Sequence, residues 1–154
     1  MEIKKYDYMH EDVVKIRTDV FVIEQDFKEE FDDIDNNCTF LVMYDEEKPV
    51  AMCRFFSESL KSREKEENCE QVYVIGRIVV IKEYRNKGLG SFIVKEAEKR
   101  VRELGAKQVV LSAQTRAREF YEKLGYVGEG ECYYEEWCEH IKMRKILADE
   151  IEKE

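Results

Sequence analysis

Proline and histidine are almost missing from this chain of 154 residues: Pro49 is the only proline, and His10 and His140 are the only histidines. With so little proline and seven glycines, no stretch reads as a linker, and the length suits a single domain over 1–154. Two histidines so far apart, and five cysteines (Cys38, Cys53, Cys69, Cys132, Cys138) without a C-x-x-C pair, leave a zinc site little to be built from, so no metal is expected. Cys132 and Cys138 could meet across a hairpin, but an odd number of cysteines fits reduced thiols and a cytoplasmic protein. The first ten residues, M-E-I-K-K-Y-D-Y-M-H, hold no apolar signal core, and no run approaches the ~20 residues that span a bilayer. No membrane role is expected. A basic excess is missing too: 26 Lys and Arg stand against 35 Asp and Glu, a net charge of −9. That speaks against nucleic acid as a partner. It suits a cationic substrate, although an acidic surface also serves solubility alone.

What is present centres on Val72–Arg100. Val72–Ile81 is an apolar, β-branched run that favours a strand. After a short polar turn come Arg85-Asn86-Lys87-Gly88-Leu89-Gly90-Ser91, and then Leu89, Ile93, Ala97, Val101 and Leu104 recur at helical spacing. Gly105 stands where a helix C-terminal glycine belongs. A helix start offers unpaired N–H groups and the positive end of the dipole. Gly88 and Gly90 let a bulky anion approach the main chain, and Arg85 and Lys87 add full charges. The unit is a phosphate cradle suited to a nucleotide-bearing cofactor. It is neither a P-loop, since no G-x-x-x-x-G-K-[ST] occurs, nor the dinucleotide fingerprint, since Ile93 stands where a third glycine is needed.

R-x-x-G-x-G after a long apolar strand resembles the pyrophosphate loop of the GNAT superfamily of acetyl-CoA-dependent N-acyltransferases. A second string, A-Q at Ala113-Gln114 followed by F-Y-E-K-L-G-Y at Phe120–Tyr126, is similar to another signature of that superfamily. V-F-V-I-E-Q at Val20–Gln25, F-D-D-I-D at Phe31–Asp35 and the E-x-x-x-x-H-I-x-M pattern of Glu135, His140, Ile141 and Met143 resemble its ElaA-like branch. Two positions depart from the branch. Cys38-Thr39 stands where a histidine is usual, and Trp137-Cys138 where a glycine-containing turn is usual.

Taken in order, Ile3–Tyr6 reads as a short strand. A helix follows from His10, with Glu11 and Asp12 in its first turn and Val13, Ile16, Val20 and Ile23 at helical spacing. Glu29–Asp35 reads as a solvated acidic loop. Thr39–Tyr44 and Val50–Ser57 read as strands around a turn at Asp45–Pro49, and Glu58–Glu70 as a charged hairpin connection without chemistry. Gln108–Ala113 is a further strand, so strand, helix and strand form a right-handed parallel crossover with the ligand at the strands' carboxyl ends. Arg116–Leu124 reads as a helix closed by Gly125, with Ala117, Phe120 and Leu124 on its buried face and Tyr121 at the edge. Tyr126–Tyr134 and His140–Ile146 form a closing hairpin, and residues 148–154 a frayed tail.

The resemblance implies an α/β fold: a mixed sheet with helices on both faces and a splayed parallel strand pair. It implies acetyl-CoA as cosubstrate, held by Ile78, Val79 and Val80 along the strand, by Arg85 to Ser91 at the cradle, and by Gln114, Phe120 and Tyr121. In this fold the tyrosine of F-Y-x-x-x-G-Y faces the thioester sulfur, so Tyr121 is the expected general acid. An ammonium has to lose a proton before it attacks, and Glu24, His140 and Glu135, in that order, are candidates to take it or to contact the substrate. The expected reaction is acetyl transfer to a primary amine of a small molecule or a protein amino group. The alternative is a non-catalytic acyl-CoA-binding regulatory module. Neither the acceptor nor the oligomeric state, a homodimer included, is fixed by these residues.

Overall fold

The structure, a computed structural model, describes residues 1–60 and 71–147. Most of the expected charged connection, and the expected tail, lie outside the described residues; Glu58–Leu60 forms a 3-10 turn. Among the described residues there are seven strands: β1 (Glu2–Tyr6), β2 (Thr39–Asp45), β3 (Lys48–Ser57), β4 (Val72–Val80), β5 (Gln108–Gln114), β6 (Val127–Glu135) and β7 (Cys138–Ile146). Their hydrogen-bonded order is β1-β2-β3-β4-β5-β7-β6, a mixed sheet. The α-helices among the described residues are α1 (Glu11–Arg17), α2 (Leu89–Glu103) and α3 (Arg118–Lys123). The chain groups into two compact units, and β4 and α2 each contribute to both.

The first unit takes in Met1–Phe56 and Ile75–Ala97. β1, β2 and β3 are antiparallel neighbours. Phe40–Tyr44 and Val50–Phe56 are buried almost without interruption, the pattern of strands covered on both faces rather than one. The β2–β3 turn is tighter than the expected Asp45–Pro49: Lys48 and Pro49 already pair with Asp45 and Tyr44, leaving Glu46 and Glu47 at the tip. Pro49 is tolerated because a register shift between Met43 and Tyr44 breaks the ladder beside it.

The helix expected from His10 is two structures. His10 caps α1 through its Nδ1, which accepts from the Asp12 N–H at 3.0 Å. After Arg17 the chain continues as a π-helix over Thr18–Glu24, closed by bonds such as Gln25 N–H to Val20 O at 2.9 Å. Each residue of a π-helix turns the chain less than an α-helical residue does. Val13, Ile16 and Val20 are therefore buried as expected, but Ile23, one α-turn further, is 71% exposed.

The second unit takes in Ser57–Val74 and the chain from Glu98. β4 and β5 are parallel, with Val72–Val74 opposite Gln108–Val110. β7 lies between β5 and β6, antiparallel to both. Buried here are Val101, Val109, Val110, Tyr126, Ile141 and Met143. Leu104 falls after the last residue of α2 and is 59% exposed. The helix expected over Arg116–Leu124 opens with a 3-10 turn, Thr115–Ala117, which leaves α3 six residues. The 3-10 turn shifts the helical phase, so Tyr121 is the buried residue, while Ala117, Phe120 and Leu124 are half-buried. The β6–β7 tip is likewise only Glu136 and Trp137, with Glu135 and Cys138 already paired. Glu136 takes the positive φ, 54°, that a glycine would otherwise supply. Cys38, Cys53, Cys132 and Cys138 are free thiols. Among the described residues, no helix is long and apolar enough to cross a membrane.

Candidate active site

In the first unit, β4 runs through Ile78, Val79 and Val80 to a 3-10 turn, Lys82–Tyr84, and the segment Arg85–Gly88 then enters α2. Gly88 has φ +82°, a conformation that L side chains avoid, and its C=O accepts the first helical bond, from Phe92 N–H at 3.1 Å. The free N–H groups of α2's first turn follow at Leu89, Gly90 and Ser91. Asn86, Lys87 and Gly88 are exposed. The turn before the loop is pinned by Tyr84, whose hydroxyl donates to Asp45 at 2.5 Å and whose ring lies 5.2 Å from the Lys87 ammonium and 5.6 Å from that of Lys48.

Arg85 does more than line this loop. Its Nε donates to Val80 O at 2.9 Å, and its two terminal nitrogens reach Glu24 at 2.6 and 2.8 Å. A bidentate guanidinium–carboxylate pair has a fixed orientation, so the π-helix that ends at Glu24 is tied to the end of β4. The bond to Glu24 pushes the Arg85 pKa further up.

In the second unit the other candidates gather on β5, β6, β7 and α3. Tyr121 is 8% exposed, its ring edge-on to Phe120 at 4.9 Å and to Tyr126 at 6.1 Å. His140, on β7, has Gln114 of β5 and Tyr133 of β6 as its cross-strand neighbours. Its Nδ1 lies 2.9 Å from Cys138 O; a carbonyl only accepts, so that nitrogen carries the hydrogen. The remaining nitrogen, Nε2, faces Glu135 Oε2 at 3.5 Å. Ser112 and Tyr133 share a short hydroxyl–hydroxyl hydrogen bond, and Ser112 Oγ also donates to Glu135 at 3.3 Å. Burial, with the Glu135 charge, pushes the Tyr133 pKa up against the Ser112 hydrogen bond. Gln114 accepts from Arg116 Nε at 2.6 Å.

The acidic loop is not simply solvated. Glu30 and Asp35 are buried, and with Asp32 they meet three arginines. Arg17, fully buried, donates through Nε to Glu30 at 2.8 Å and through its terminal nitrogens to Asp35 at 2.6 and 3.1 Å. Arg54 of β3 binds Asp32 at 2.7 and 2.9 Å and Asp35 at 2.7 Å. Arg77 of β4 pairs with Glu30 at 3.0 Å and reaches the Glu30 carbonyl at 2.9 Å and Asp32 at 3.4 Å. Burial would raise the pKa of Asp32 and Asp35, but guanidinium hydrogen bonds and charge outweigh it and hold both low. For Glu30 burial wins, and its pKa is raised. The sequence signal for this cluster is a single arginine inside each of two apolar runs, A-M-C-R-F-F and V-I-G-R-I-V-V. A lone charge there needs a partner brought from elsewhere.

The sheet with its parallel pair and the glycine turn opening α2 are the frame of an acyltransferase, and the chain belongs to the GNAT acetyltransferase family: the family model matches residues 6–126. The Bacillus subtilis protein described as the uncharacterized N-acetyltransferase YjcF is 35% identical over 147 residues, covering 93% of this chain and 96% of that one. An acyl-CoA N-acyltransferase from Pseudomonas aeruginosa is similar in structure, with a TM-score of 0.79, 26% identity, and 94% and 99% of the two chains covered. Escherichia coli ElaA shares the fold with a TM-score of 0.75 at 22% identity, over 94% of this chain and 98% of its own.

Proposed function

We propose that the protein transfers an acetyl group from acetyl-CoA to a primary amine, of a small molecule or of a protein amino group. The observation that carries this reading is the start of α2: a left-handed Gly88 between Lys87 and a run of unpaired N–H groups, which suits a diphosphate. Ile78, Val79 and Val80 would hold the pantetheine amides through the main chain, since amides buried without partners would cost free energy. Gln114 and Phe120 would complete the cosubstrate contacts.

Tyr121 is the proposed general acid. A phenol pKa of ~10 lies near that of a departing thiolate, so proton transfer is nearly balanced. For the base, the geometry favours Glu135 with His140 over Glu24. Both carboxylate oxygens of Glu24 are on Arg85, whereas Glu135 is half exposed with His140 Nε2 behind it. A proton taken from the ammonium by Glu135 can be shared with that nitrogen, leaving the amine lone pair free to attack the thioester carbonyl. Collapse then expels the thiolate, which Tyr121 protonates.

Two measurements test the reading. Acetyl-CoA should raise the melting temperature while ATP and NAD at equal concentration do not, because only a ligand of the folded state stabilises it by linkage. An amine panel should then show acceptor-dependent release of CoA. Equal shifts with ATP would remove the CoA assignment, and tight acetyl-CoA binding without turnover on any amine would make the protein a binding module.

A further inference from the structure

Arg77 has φ +48° in the middle of β4. It has a long, unbranched side chain and no glycine-like freedom, so the left-handed conformation is strained and persists only where the surroundings impose it. The surroundings here are specific. Its guanidinium is held at 3.0 Å from the Glu30 carboxylate, 2.9 Å from the Glu30 carbonyl and 3.4 Å from Asp32. Glu30 and Asp32 are in turn fixed from behind, Glu30 by Arg17 and Asp32 by Arg54. Asp35 joins the two supporting arginines and accepts from the Asp32 N–H at 3.0 Å, which fixes the loop's own backbone. Three guanidinium groups meet three carboxylates, so the cluster is neutral and tolerates burial.

A left-handed residue in a strand redirects the peptide groups that follow it. We propose that Arg77 is a positioning residue: the acidic loop clamps its side chain to hold this backbone kink, and the kink aims the N–H groups of Ile78, Val79 and Val80. The proposal rests on the acyl-CoA reading only for what those N–H groups meet; the clamp itself is a property of the ligand-free chain. It gives the buried cluster a role beyond filling the first unit, and it explains why arginine, rather than glycine, occupies a position whose φ favours glycine.

Arg77→Gly removes the clamp at a position where glycine accepts φ +48° without strain, and because glycine also loosens the backbone, Asp32→Asn, which weakens the clamp with Arg77 in place, is its control. Backbone amide exchange of the ligand-free protein is compared across Gly76–Val80 and in β2 as an internal reference. The clamp predicts exchange about tenfold or more faster at residues 77–80 with β2 unchanged, since local opening is read directly by exchange. Arg77→Lys, which keeps a cation for Glu30, should recover part of the protection. Asp32→Asn should loosen the same residues more weakly. Acetyl-CoA affinity, measured well below the melting temperature, should fall about tenfold in Arg77→Gly and partly return in Arg77→Lys. Unchanged exchange at 77–80 in Arg77→Gly overturns the proposal whatever acetyl-CoA does. Faster exchange with unchanged affinity overturns the aiming of the N–H groups. A wild-type protein that binds no acetyl-CoA overturns the acyl-CoA reading, and the exchange result still decides the clamp.

Discussion

Replacing Arg17 by methionine removes four hydrogen bonds, one to the Glu30 carboxylate, one to the Glu30 carbonyl and two to Asp35, from a site with no solvent access and keeps most of the side chain's volume. The loss leaves the cluster of three cations and three carboxylates with an uncompensated negative charge. Charge-assisted bonds contribute roughly 1.5–3 kcal/mol each, so four would sum to about 6–12 kcal/mol if nothing else held the acids. Something else does: Asp35 keeps Arg54 at 2.7 Å and Glu30 keeps Arg77 at 3.0 Å. The expected loss is therefore nearer the ~3–5 kcal/mol seen when one partner of a buried pair is removed. For a chain of this size each kcal/mol moves the melting temperature by about 2–4 °C, which gives a fall of roughly 6–20 °C. Calorimetry at neutral pH reads it, with Lys15→Met as the control. Lys15 meets Asp19 at 3.2 Å on the exposed face of the same helical segment, and that pair contributes about 0.3–0.5 kcal/mol. The Arg17 effect should also survive 1 M salt, since buried charges are screened little. A melting temperature within about 2 °C of wild type, or an effect abolished by salt, refutes the account of the cluster.

Tyr121→Phe keeps the ring packed against Phe120 and Tyr126 and removes only the hydroxyl; kcat should fall by about 10²–10⁴ with acetyl-CoA affinity nearly unchanged, and a loss under roughly tenfold would show that Tyr121 only packs. Glu135→Gln should lower kcat/KM by a similar factor and flatten the acid limb of its pH profile, while an intact profile would return the base to Glu24. Asp32 and Asp35 have folded-state pKa values below the unfolded ~3.9. The unfolded chain thus binds more protons than the folded one in this window, and stability present above about pH 4 is lost as pH falls through the folded values. Glu30, raised by burial, contributes with the opposite sign. Melting temperatures from pH 7 down to 3 should therefore drop below about pH 4, and less steeply in Asp32→Asn; equal slopes in the two proteins would remove the aspartates from the explanation.

The elements that carry local periodicity were legible in the sequence. The apolar run of β4, the glycines around α2 and the strand at Gln108 all follow from spacing and turn chemistry, and the two family-like strings lead to the fold that the comparisons show. What was not legible depends on distant partners or on phase. Ile23 departs from the helical face because of a π-helical register, which no composition signals. Tyr121 exchanges places with Phe120 as the buried residue because a 3-10 turn precedes a short helix. Glu29–Asp35 looks like a solvated loop because its partners, Arg17, Arg54 and Arg77, lie elsewhere in the chain. The Glu24–Arg85 pair, 61 positions apart, is hidden for the same reason.

Arg54 and Arg77 also matter before any of these contacts exist. Val50–Phe56 and Val72–Ile81 are two strand-forming runs, each apolar but for one arginine and, in the second, a glycine. Without those charges they would be segments of the kind that associate between unfolded chains. In an unfolded chain a charge inside each run opposes association; in the folded one the acidic loop neutralises both arginines. One pair of residues thus keeps nascent strands apart and then ties down the finished sheet, so apolar replacements at 54 and 77 would reveal themselves first as aggregates during refolding.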